Sequence, residues 1–529
     1  MFNASERVQT MYGVRTTRRL NITMVYYAYT SSNCRHSYSS SMSTDTEDDV
    51  GLTMEASVAK INLEDLSTVT VMLISANVGS IFEDPEALIP NWIDEVNGHL
   101  AALEPQFVAI HFQEVGGKSM SDGTQMIVQQ FVKDFLERCE QLNYNRHCVY
   151  FDQNFKNPET FTALGTIYLI HDTIKKVESY NFKTRQFSEL RSSVSHLFDL
   201  DSPNVTNLEK HKFPLRFFPE SRWSRKGTLR SRWKLHGTPF DLINIHLFHD
   251  ASNIVSMVDS APNSIYCDYR RNALQYTLDR VHNDEHESLP YFIFGDFNFR
   301  LDGHSVLRKL TTGLSRRTSE MGLEYVNRSS QVILTIGKKE FHLDNHDEMF
   351  QSEWIQWKEY DQERFHVEER LSEFPLKFPP TYPFEEDPNE GTKYMRTRCP
   401  AWCDRVLFSH PTRELFDQLA NAEYDVIGRG TCMGDHKPVY LQMHIKHNVS
   451  GLSIPTYSDY LKSSANSSRK TSPIKEKLPR VESPTYTDLL SNPKNPPDIE
   501  GPSGEPGCNR CIEMPEVNYK IKMFKETTV

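Results

Sequence analysis

The sequence lacks any apolar run long enough to cross a membrane as a helix, for which about 20 consecutive apolar residues are needed. Near the N-terminus, the apolar run 22–29 is short and interrupted by polar residues, so it does not predict a secretory signal. We therefore expect a protein that is either soluble or attached to a membrane peripherally. This predicts a cytoplasmic location, with peripheral attachment at the plasma membrane as the alternative.

Cysteine is scarce as well, with nine residues in a chain of 529. The number is odd and the spacing irregular, which argues against a disulfide framework and favours a reducing, intracellular compartment. Cys508 and Cys511 have the spacing of a metal-binding pair, but no second pair or histidine lies near them in the sequence. We therefore predict no zinc site there.

A surplus of basic residues is also absent. Lys and Arg number 59 against 71 Asp and Glu, which gives a formal net charge of −12. Nucleic-acid binding depends on neutralising many phosphates, so this balance argues against nucleic acid as a partner. Any phosphate site must therefore be a local basic patch. The run 222–234, RWSRKGTLRSRWK, contains no acidic residue and predicts anion binding.

What the sequence does contain divides it into three parts. Residues 1–66 are rich in Ser, Thr, Asp and Arg, which predicts a flexible leader. Residues 67–447 hold the apolar strands and helical patterns and predict one catalytic domain. Residues 448–529 are rich in Ser, Pro, Lys and Asn, which predicts a disordered tail. A short string of the tail at 455–461 recurs at 484–490. The repeat has arisen by chance or by local duplication, or it is a bivalent docking or phosphorylation motif.

Short apolar runs rich in β-branched residues predict buried strands in the middle part. These strands are expected from Val69 to Asn77 and at 107–114, 166–170, 240–247, 291–297, 405–409 and 439–445. Helices are expected at 84–103, at 124–141 and between Asn263 and Val281. Strands that are apolar on both faces and interleaved with helices predict sheets covered by helices. The polar insertions 175–212 and 313–370 are predicted to be peripheral loops and helices.

Polar side chains stand at the ends of several predicted strands, where functional sites are usually built. Asn77 ends the first strand, Glu114 the second and His246 a later one. Asp296 and Asn298, in the segment GDFN, follow an apolar run, and their spacing in extended chain directs both side chains the same way. Taken alone, GDFN favours the alternative to a site, a strand-end turn in which these side chains bond their own backbone. Together with the other polar strand ends, the pattern predicts a site.

Two further segments run directly into strands. Asp435 and His436 lie in GDHKP, and the segment 396–405, RTRCPAWCDR, combines basic groups, a proline turn and an aspartate. That aspartate, Asp404, is at a strand start, where it can orient a histidine from a neighbouring strand, as hydrolytic sites often require. The segment 342–347, HLDNHD, has the composition of a metal site. It lies in a polar insertion with no predicted strand, so we interpret it as a solvated loop.

The order of these segments resembles that of the inositol polyphosphate 5-phosphatases, in particular the type I group. The resemblance runs from Val69 to His447 and is strongest at GDFNFRLD (295–302), PAWCDRVLFS (400–409) and GDHKPV (434–439). It implies an α/β fold in which two packed mixed β-sheets are covered by helices. This is the four-layer sandwich of the DNase I-like phosphoesterases, here with disordered N- and C-terminal extensions.

The resemblance also implies Mg²⁺ as cofactor and a role for each site residue. Glu114 would be the main metal ligand, assisted by Asn77, and Asp296 would accept a proton from the attacking water. His436, oriented by Asp404, would act on the scissile phosphate. The other implied members are Asn298 for water or phosphate, the further carboxylate Asp435, the phosphate contacts His246, Arg225 and Lys226, and the 4-phosphate contacts Tyr382, Arg396 and Arg398.

The resemblance further implies that inositol polyphosphates are the substrates. Pro383 stands where many lipid-acting relatives carry a lysine, which favours inositol 1,4,5-trisphosphate and inositol 1,3,4,5-tetrakisphosphate over phosphoinositide lipids. Such hydrolysis would terminate inositol-phosphate calcium signalling. The alternatives are a phosphoinositide-lipid 5-phosphatase, a DNase-like endonuclease and a non-catalytic inositol-phosphate scaffold.

The C-terminus departs from the type I pattern, in which a prenylated cysteine commonly stands fourth from the end. This sequence ends in Glu526, Thr527, Thr528 and Val529, so it carries no prenylation signal there. The last three residues instead resemble a ligand for a PDZ domain, which captures a free carboxylate and adds the peptide to a sheet edge.

Overall fold

A computed structural model describes residues 68–452 except 220–223, 260–263, 321 and 418–420. The predicted leader lies outside the described residues, and so does the predicted tail from residue 453 onward. The tail repeat, the Cys508–Cys511 pair and the C-terminal Thr527–Val529 therefore lie outside them too. Within the described residues, no helix is long and apolar enough to cross a membrane.

Strands dominate the described chain, and helices separate them. The strands are β1 (Thr68–Asn77), β2 (Phe107–Gln113), β3 (Arg146–Phe151), β4 (Gly165–Ile170), β5 (Val177–Asn181), β6 (Gln186–Glu189), β7 (Val194–His196), β8 (Leu208–Lys212), β9 (Gly227–Leu235), β10 (Thr238–His246), β11 (Tyr291–Asp296), β12 (Ser315–Ser319), β13 (Gly322–Val326), β14 (Val332–Gly337), β15 (Glu340–Leu343), β16 (Leu371–Glu373), β17 (Asp404–Ser409), β18 (Glu423–Val426) and β19 (Val439–Lys446). The α-helices are α1 (Pro85–Leu103), α2 (Asp122–Glu140), α3 (Ile265–His282) and α4 (Gly303–Leu310).

These strands form two large mixed sheets and one small one. The first sheet has the order β18-β19-β1-β2-β4-β3-β7. The second has the order β16-β17-β11-β10-β9-β5-β6, with β8 beside β9. The third is the meander β12-β13-β14-β15. In the centres of the large sheets β1 is parallel to β2, and β10 is parallel to β11, so the carboxyl ends of each pair lie at the same edge.

The two large sheets pack face to face, and helices cover their outer faces. Leu73 of the first sheet and Phe294 of the second belong to the apolar core between the sheets. A second core joins Trp92 of α1 and Phe131 of α2 to the opposite face of the first sheet. A third joins Leu274 of α3 to the outer face of the second sheet. The predicted four-layer α/β sandwich is therefore confirmed.

Helix α1 shows how the sequence determines these layers. The Asp84 side chain accepts a hydrogen bond from the Ala87 amide, and Pro85 occupies the first turn, where its missing N–H costs nothing. The apolar residues recur at helical spacing and form one buried stripe, which contains Leu88, Trp92, Ile93, Val96 and Leu100. That stripe packs on β1 and β2, and so fixes the layer outside the first sheet.

The two polar insertions differ from the prediction. Residues 175–212 contain β5 to β8, and residues 313–370 contain the third sheet followed by short 3₁₀ and π segments, so loops and helices were the wrong expectation. These strands are short, and none is buried along its whole length. In β14, Leu334 and Ile336 are buried while residues 333 and 335 are more exposed, and β6, β7 and β12 contain no buried residue. Such strands leave only a weak periodicity in the sequence.

Candidate active site

Side chains from both large sheets meet where the central parallel strands end. The Asn77 amide, at the end of β1, donates to Asp296 Oδ2 at 3.1 Å. His246, at the end of β10, places Nε2 at 3.2 Å from the same oxygen. Asp296 itself is the last residue of β11 and is 1% exposed. These contacts join the first sheet to the second through one buried carboxylate.

Asn298 completes the surroundings of Asp296. Its backbone amide donates to Asp296 Oδ1 at 2.8 Å, and its side-chain amide donates to Oδ2 at 3.0 Å. The first bond forms the strand-end turn that the sequence offered as the alternative to a site. The second joins the two side chains at the site, so this segment is both a turn and part of the site. Burial alone would raise the pKa of Asp296, but the neighbouring His436 and His246 outweigh it and lower that pKa well below its usual range. The carboxylate is therefore ionised at neutral pH.

A histidine–aspartate pair lies beside this carboxylate. His436 Nδ1 and Asp404 Oδ2 are 2.8 Å apart, and Thr381 Oγ1 donates to the same oxygen at 2.8 Å. Burial opposes protonation of His436, but the negative charges of Asp404, Asp435 and Asp296 raise its pKa to about 10. The ring is therefore an imidazolium at neutral pH. The trio of His436, Asp404 and Asp296 is therefore an imidazolium between two carboxylates, one of them hydrogen-bonded to it, and a poor metal site, because a histidine must be deprotonated to bind a metal.

Three basic side chains lie close to the Glu114 carboxylate. Its Oε1 lies 3.5 Å from Lys226 Nζ and 3.6 Å from His246 Nε2, and its Oε2 lies 3.9 Å from Arg225 Nη2. Burial would raise the pKa of Glu114, but the positive charges, led by Lys226, hold it well below its usual range. Burial and the adjacent Lys226 lower the pKa of His246, so this imidazole is neutral at pH 7. Lys226 Nζ also contacts His246 Nε2.

The oxygens of Asn77 and Glu114 converge on one point above Gly79. A Cβ placed on Gly79 would lie 2.9 Å from Glu114 Oε2 and 3.4 Å from Asn77 Oδ1. Glycine at this position therefore leaves open the space between a carboxylate and an amide oxygen. Hard oxygen donors of this kind suit Mg²⁺ or Ca²⁺, so the residues present fit the metal that the family resemblance implies.

One cavity brings most of the predicted site residues together. It is lined by Asn77, Gly79, Ser80, Glu114, Lys118, Lys226, His249, Asp250, Asp296, Asn298, Arg300, Tyr382, Arg398, Asp435 and His436. His246, Asp404 and Arg225 lie directly behind this lining, in contact with Asp296, His436 and Glu114 respectively. Asp435 accepts a hydrogen bond from Ser80 Oγ at 2.7 Å, and burial raises its pKa.

The structure does not bring Arg396 to this cavity. Arg396 is exposed and contacts His342 of β15. Arg398 does line the cavity, although its guanidinium also donates to the Asp250 carbonyl at 3.1 Å and to Asn253 Oδ1 at 3.1 Å.

The basic run at 222–234 is not an anion-binding surface along its length. Its first two residues, 222 and 223, lie outside the described part, and the rest from Gly227 onward forms β9. Arg230 Nη2 and Arg232 Nε each lie 2.6 Å from Asp241, which faces them from β10. All three residues are buried, so these guanidiniums stabilise the second sheet. Among the described basic residues of the run, Arg225 and Lys226, just before the strand, are the ones that reach the cavity region.

The segment 342–347 also differs from its interpretation as a solvated loop. It begins on β15, and His346 is only 1% exposed. The imidazole packs against the rings of Phe341, Phe350 and Tyr394, and burial lowers its pKa to about 4. His346 is therefore a neutral, buried residue just after the last strand of the third sheet.

Sequence reasoning missed several residues of the cavity lining: Ser80, Lys118, His249, Asp250 and Arg300. Arg300 is the most informative of them. Its Nη2 donates to Asn298 Oδ1 at 2.6 Å, and its guanidinium lies 4.6 Å from the centre of the Tyr382 ring. The available signal was its place two residues after Asn298 in GDFNFR, at the same spacing that relates Asn298 to Asp296.

Comparisons with known proteins agree with this geometry. Residues 75–442 match the model of endonuclease/exonuclease/phosphatase family 2. Inositol polyphosphate-5-phosphatase A of Canis lupus familiaris is 42% identical over 388 residues, which cover 71% of this chain and 93% of the relative. A Caenorhabditis elegans protein named "Probable type I inositol 1,4,5-trisphosphate 5-phosphatase" is 32% identical over 423 residues, covering 71% of this chain and 100% of the relative.

Among solved structures, the chain is similar to the inositol polyphosphate 5-phosphatase domain of SPsynaptojanin in complex with inositol (1,4)-bisphosphate and calcium ion. The similarity covers 76% of this chain and 92% of that one, at 15% identity and a TM-score of 0.40. The family match and the two relatives confirm the resemblance found in the sequence, and the chain belongs to the type I inositol polyphosphate 5-phosphatases of the endonuclease/exonuclease/phosphatase family.

Proposed function

We propose that this phosphatase removes the 5-phosphate of soluble inositol polyphosphates, namely inositol 1,4,5-trisphosphate and inositol 1,3,4,5-tetrakisphosphate, with Mg²⁺ as cofactor. One observation carries the proposal. The oxygen pair of Asn77 and Glu114, the carboxylate of Asp296 and the imidazolium of His436 all border one cavity. Hydrolysis of a phosphomonoester needs such a set, because charge on the phosphoryl oxygens must be offset while water is held in line. The reaction would terminate an inositol-phosphate calcium signal.

The metal would be held by Glu114, assisted by Asn77. Both are oxygen donors, and the described cavity lining contains no cysteine, which favours Mg²⁺ over softer ions. When bound, the cation supplies positive charge to the phosphoryl oxygens. Lys226 and Arg225 keep Glu114 ionised, so its carboxylate is ready to bind a cation at neutral pH.

Asp296, Asn298 and His436 would position the attacking water and offset the charge of the phosphate. Asp296 would orient the attacking water and take its proton as the new P–O bond forms. Because its pKa is low, it is a weak base, and its first contribution is the position of the water. Asn298 is fixed by its bonds to Asp296 and holds the amide beside that water. His436, with Nδ1 engaged by Asp404, presents its other N–H and its charge to the phosphate.

The preference for soluble substrates is supported by the charges around the cavity and by Pro383. Lys118, Lys226, Arg300 and Arg398 line the same cavity, which suits a small ligand with several phosphates. Pro383 replaces the lysine that many lipid-acting relatives carry. The C. elegans relative is named for inositol 1,4,5-trisphosphate, which agrees with this substrate class.

The test is a substrate panel that measures phosphate release from both soluble inositol phosphates and from vesicles containing phosphatidylinositol 4,5-bisphosphate. We expect faster release from the soluble substrates, and loss of activity when a chelator removes Mg²⁺. Asp296→Asn should abolish release, whereas Glu137→Gln, on the exposed face of α2, should not change it. Equal or faster release from vesicles would contradict the proposed substrate class, and nicking of abasic DNA at a comparable rate would favour an endonuclease.

We also propose a cytoplasmic location, with a PDZ-domain protein as partner. The support is the sequence of the last three residues, Thr527, Thr528 and Val529, and the scarcity of cysteine. Imaging of the tagged full chain in cells, with the tag at the N-terminus so that the C-terminal carboxylate stays free, would test the location. Secretion or an organelle-restricted signal would contradict it.

A further inference from the structure

The turn between β14 and β15 carries two adjacent exposed lysines, Lys338 and Lys339. Buried Asn253 holds the backbone of this turn on both sides. Its backbone amide donates to the Lys338 carbonyl at 3.0 Å, and its side-chain amide donates to the Glu340 carbonyl at 2.9 Å. Asn253 is only 2% exposed, so the turn is fixed to the body of the protein.

Asn253 also binds Arg398, a residue of the cavity wall. Arg398 Nη1 donates to Asn253 Oδ1 at 3.1 Å and to the Lys338 carbonyl at 3.2 Å. The Asn253 side-chain amide also donates to the Thr397 carbonyl at 3.0 Å. Because Arg398 lines the active-site cavity, these bonds place the lysine turn directly against the wall of that cavity.

The charges of this region are concentrated. Partial burial lowers the pKa of Lys339, and the positive charges of Arg398, Lys338 and Lys118 lower it further. Arg398 and Lys118 both line the cavity, and Lys118 has a partner in Glu386 at 3.6 Å. Gathering like charges costs stability, and such an arrangement is typical of a site that receives an anion.

We propose that Lys338 and Lys339 form, together with Lys118, a second phosphate-binding site at the rim of the cavity. It would hold a phosphate on the inositol ring other than the 5-phosphate that is removed. The inference rests on the proposed function, because the ring must already be seated at Glu114 and His436. The third sheet then has a functional role, since it carries these lysines to the rim.

The test is the double variant Lys338→Ala/Lys339→Ala. Its matched control is Arg316→Ala/Arg328→Ala, which removes the same charge from the same sheet, on β12 and at the turn between β13 and β14, the opposite end of β14 from the lysines. We expect KM for inositol 1,3,4,5-tetrakisphosphate to rise about tenfold in the lysine variant, with kcat unchanged and a smaller rise for the trisphosphate. Lys338→Arg/Lys339→Arg should restore KM, and added salt should shrink the difference.

Two further measurements separate this inference from the proposed function. If the wild-type chain releases no phosphate from either soluble substrate, the proposed function is wrong. Calorimetric binding of the tetrakisphosphate to Asp296→Ala protein still reports on the rim, and weaker binding after removal of the lysines supports the site. In a vesicle arm with phosphatidylinositol 4,5-bisphosphate, a rise in KM of the lysine variant assigns the bound phosphate to a lipid headgroup. A lysine variant that matches its control with every probe overturns the inference.

Discussion

Replacing Asp404 with Asn should change the pH at which activity is lost. In the folded protein, three carboxylates raise the pKa of His436 from 6.5 to about 10, a difference of about 5 kcal/mol in favour of the imidazolium. Asp404 contributes the largest favourable charge and also the 2.8 Å hydrogen bond. An adjacent opposite charge typically shifts a pKa by about 1 to 3. Asp404→Asn should therefore bring the pKa of His436 down to about 8, while Asp435 and Asp296 keep it above 6.5.

The assay is the initial rate of phosphate release between pH 6 and pH 10.5 at saturating substrate and metal. If the imidazolium is required, Asp404→Asn should lose activity at a pH about two units lower than the wild type does. Thr381→Val is the control. It removes both hydrogen bonds that Thr381 Oγ1 makes with Asp404 but leaves the charge, so the pH at which activity falls should change much less. If Asp404→Asn were slower at every pH but lost its activity at the same high pH as the wild type, the reasoning would be refuted.

Three other changes separate metal binding, fold stability and partner binding. In Gly79→Ala the new methyl group would lie 2.9 Å from Glu114 Oε2, so the Mg²⁺ concentration for half-maximal activity should rise about tenfold; an unchanged metal requirement would count against Glu114 as a ligand. Asp241→Asn removes the buried carboxylate that Arg230 and Arg232 share, although Arg230 keeps Glu209 and Asp284, and should lower the free energy of unfolding by about 3 to 5 kcal/mol in urea titrations; Glu324→Gln, which breaks a partly exposed pair with Arg317, should leave the urea midpoint nearly unchanged. Deletion of Val529 should abolish recovery of PDZ domains in a pull-down with the full chain, and equal recovery would exclude that partner.

The central strands could be predicted because both of their faces are buried. β1 and β11 are continuous apolar runs, and that pattern survives without knowledge of their neighbours. The polar side chains at the strand ends could therefore be predicted to form a site, and Asn77 and Asp296 do meet at 3.1 Å. The packing that joins them could not, since β1 lies in the first sheet and β11 in the second. The pairing of Asp404 with His436 could be anticipated because each lies at or next to the start of a strand.

The partners of buried charges could not be predicted, because they depend on the register between strands. In the sequence, Arg230 and Arg232 form part of a basic run without a carboxylate. In the fold, the antiparallel register of β9 and β10 places Asp241 opposite Arg232 and cancels these charges. His346 was misjudged in a similar way. Phe341 and Phe350 are near it in the sequence, but only the fold turns these rings onto the imidazole and adds Tyr394 from a distant segment.

The cost of assembling the site is itself evidence about its purpose. Lys226, His436 and Asp296 are each nearly inaccessible to solvent, and burying charged groups costs several kcal/mol per ion after relaxation. A stable sheet edge would be reached more easily with apolar residues in these positions. Neither sheet alone contains the whole set, because Glu114 follows β2 while Lys226 precedes β9. The charges are therefore brought together only when the two sheets pack, and a phosphorylated ligand with its cation would compensate them most fully, since it supplies both signs of charge in one cavity.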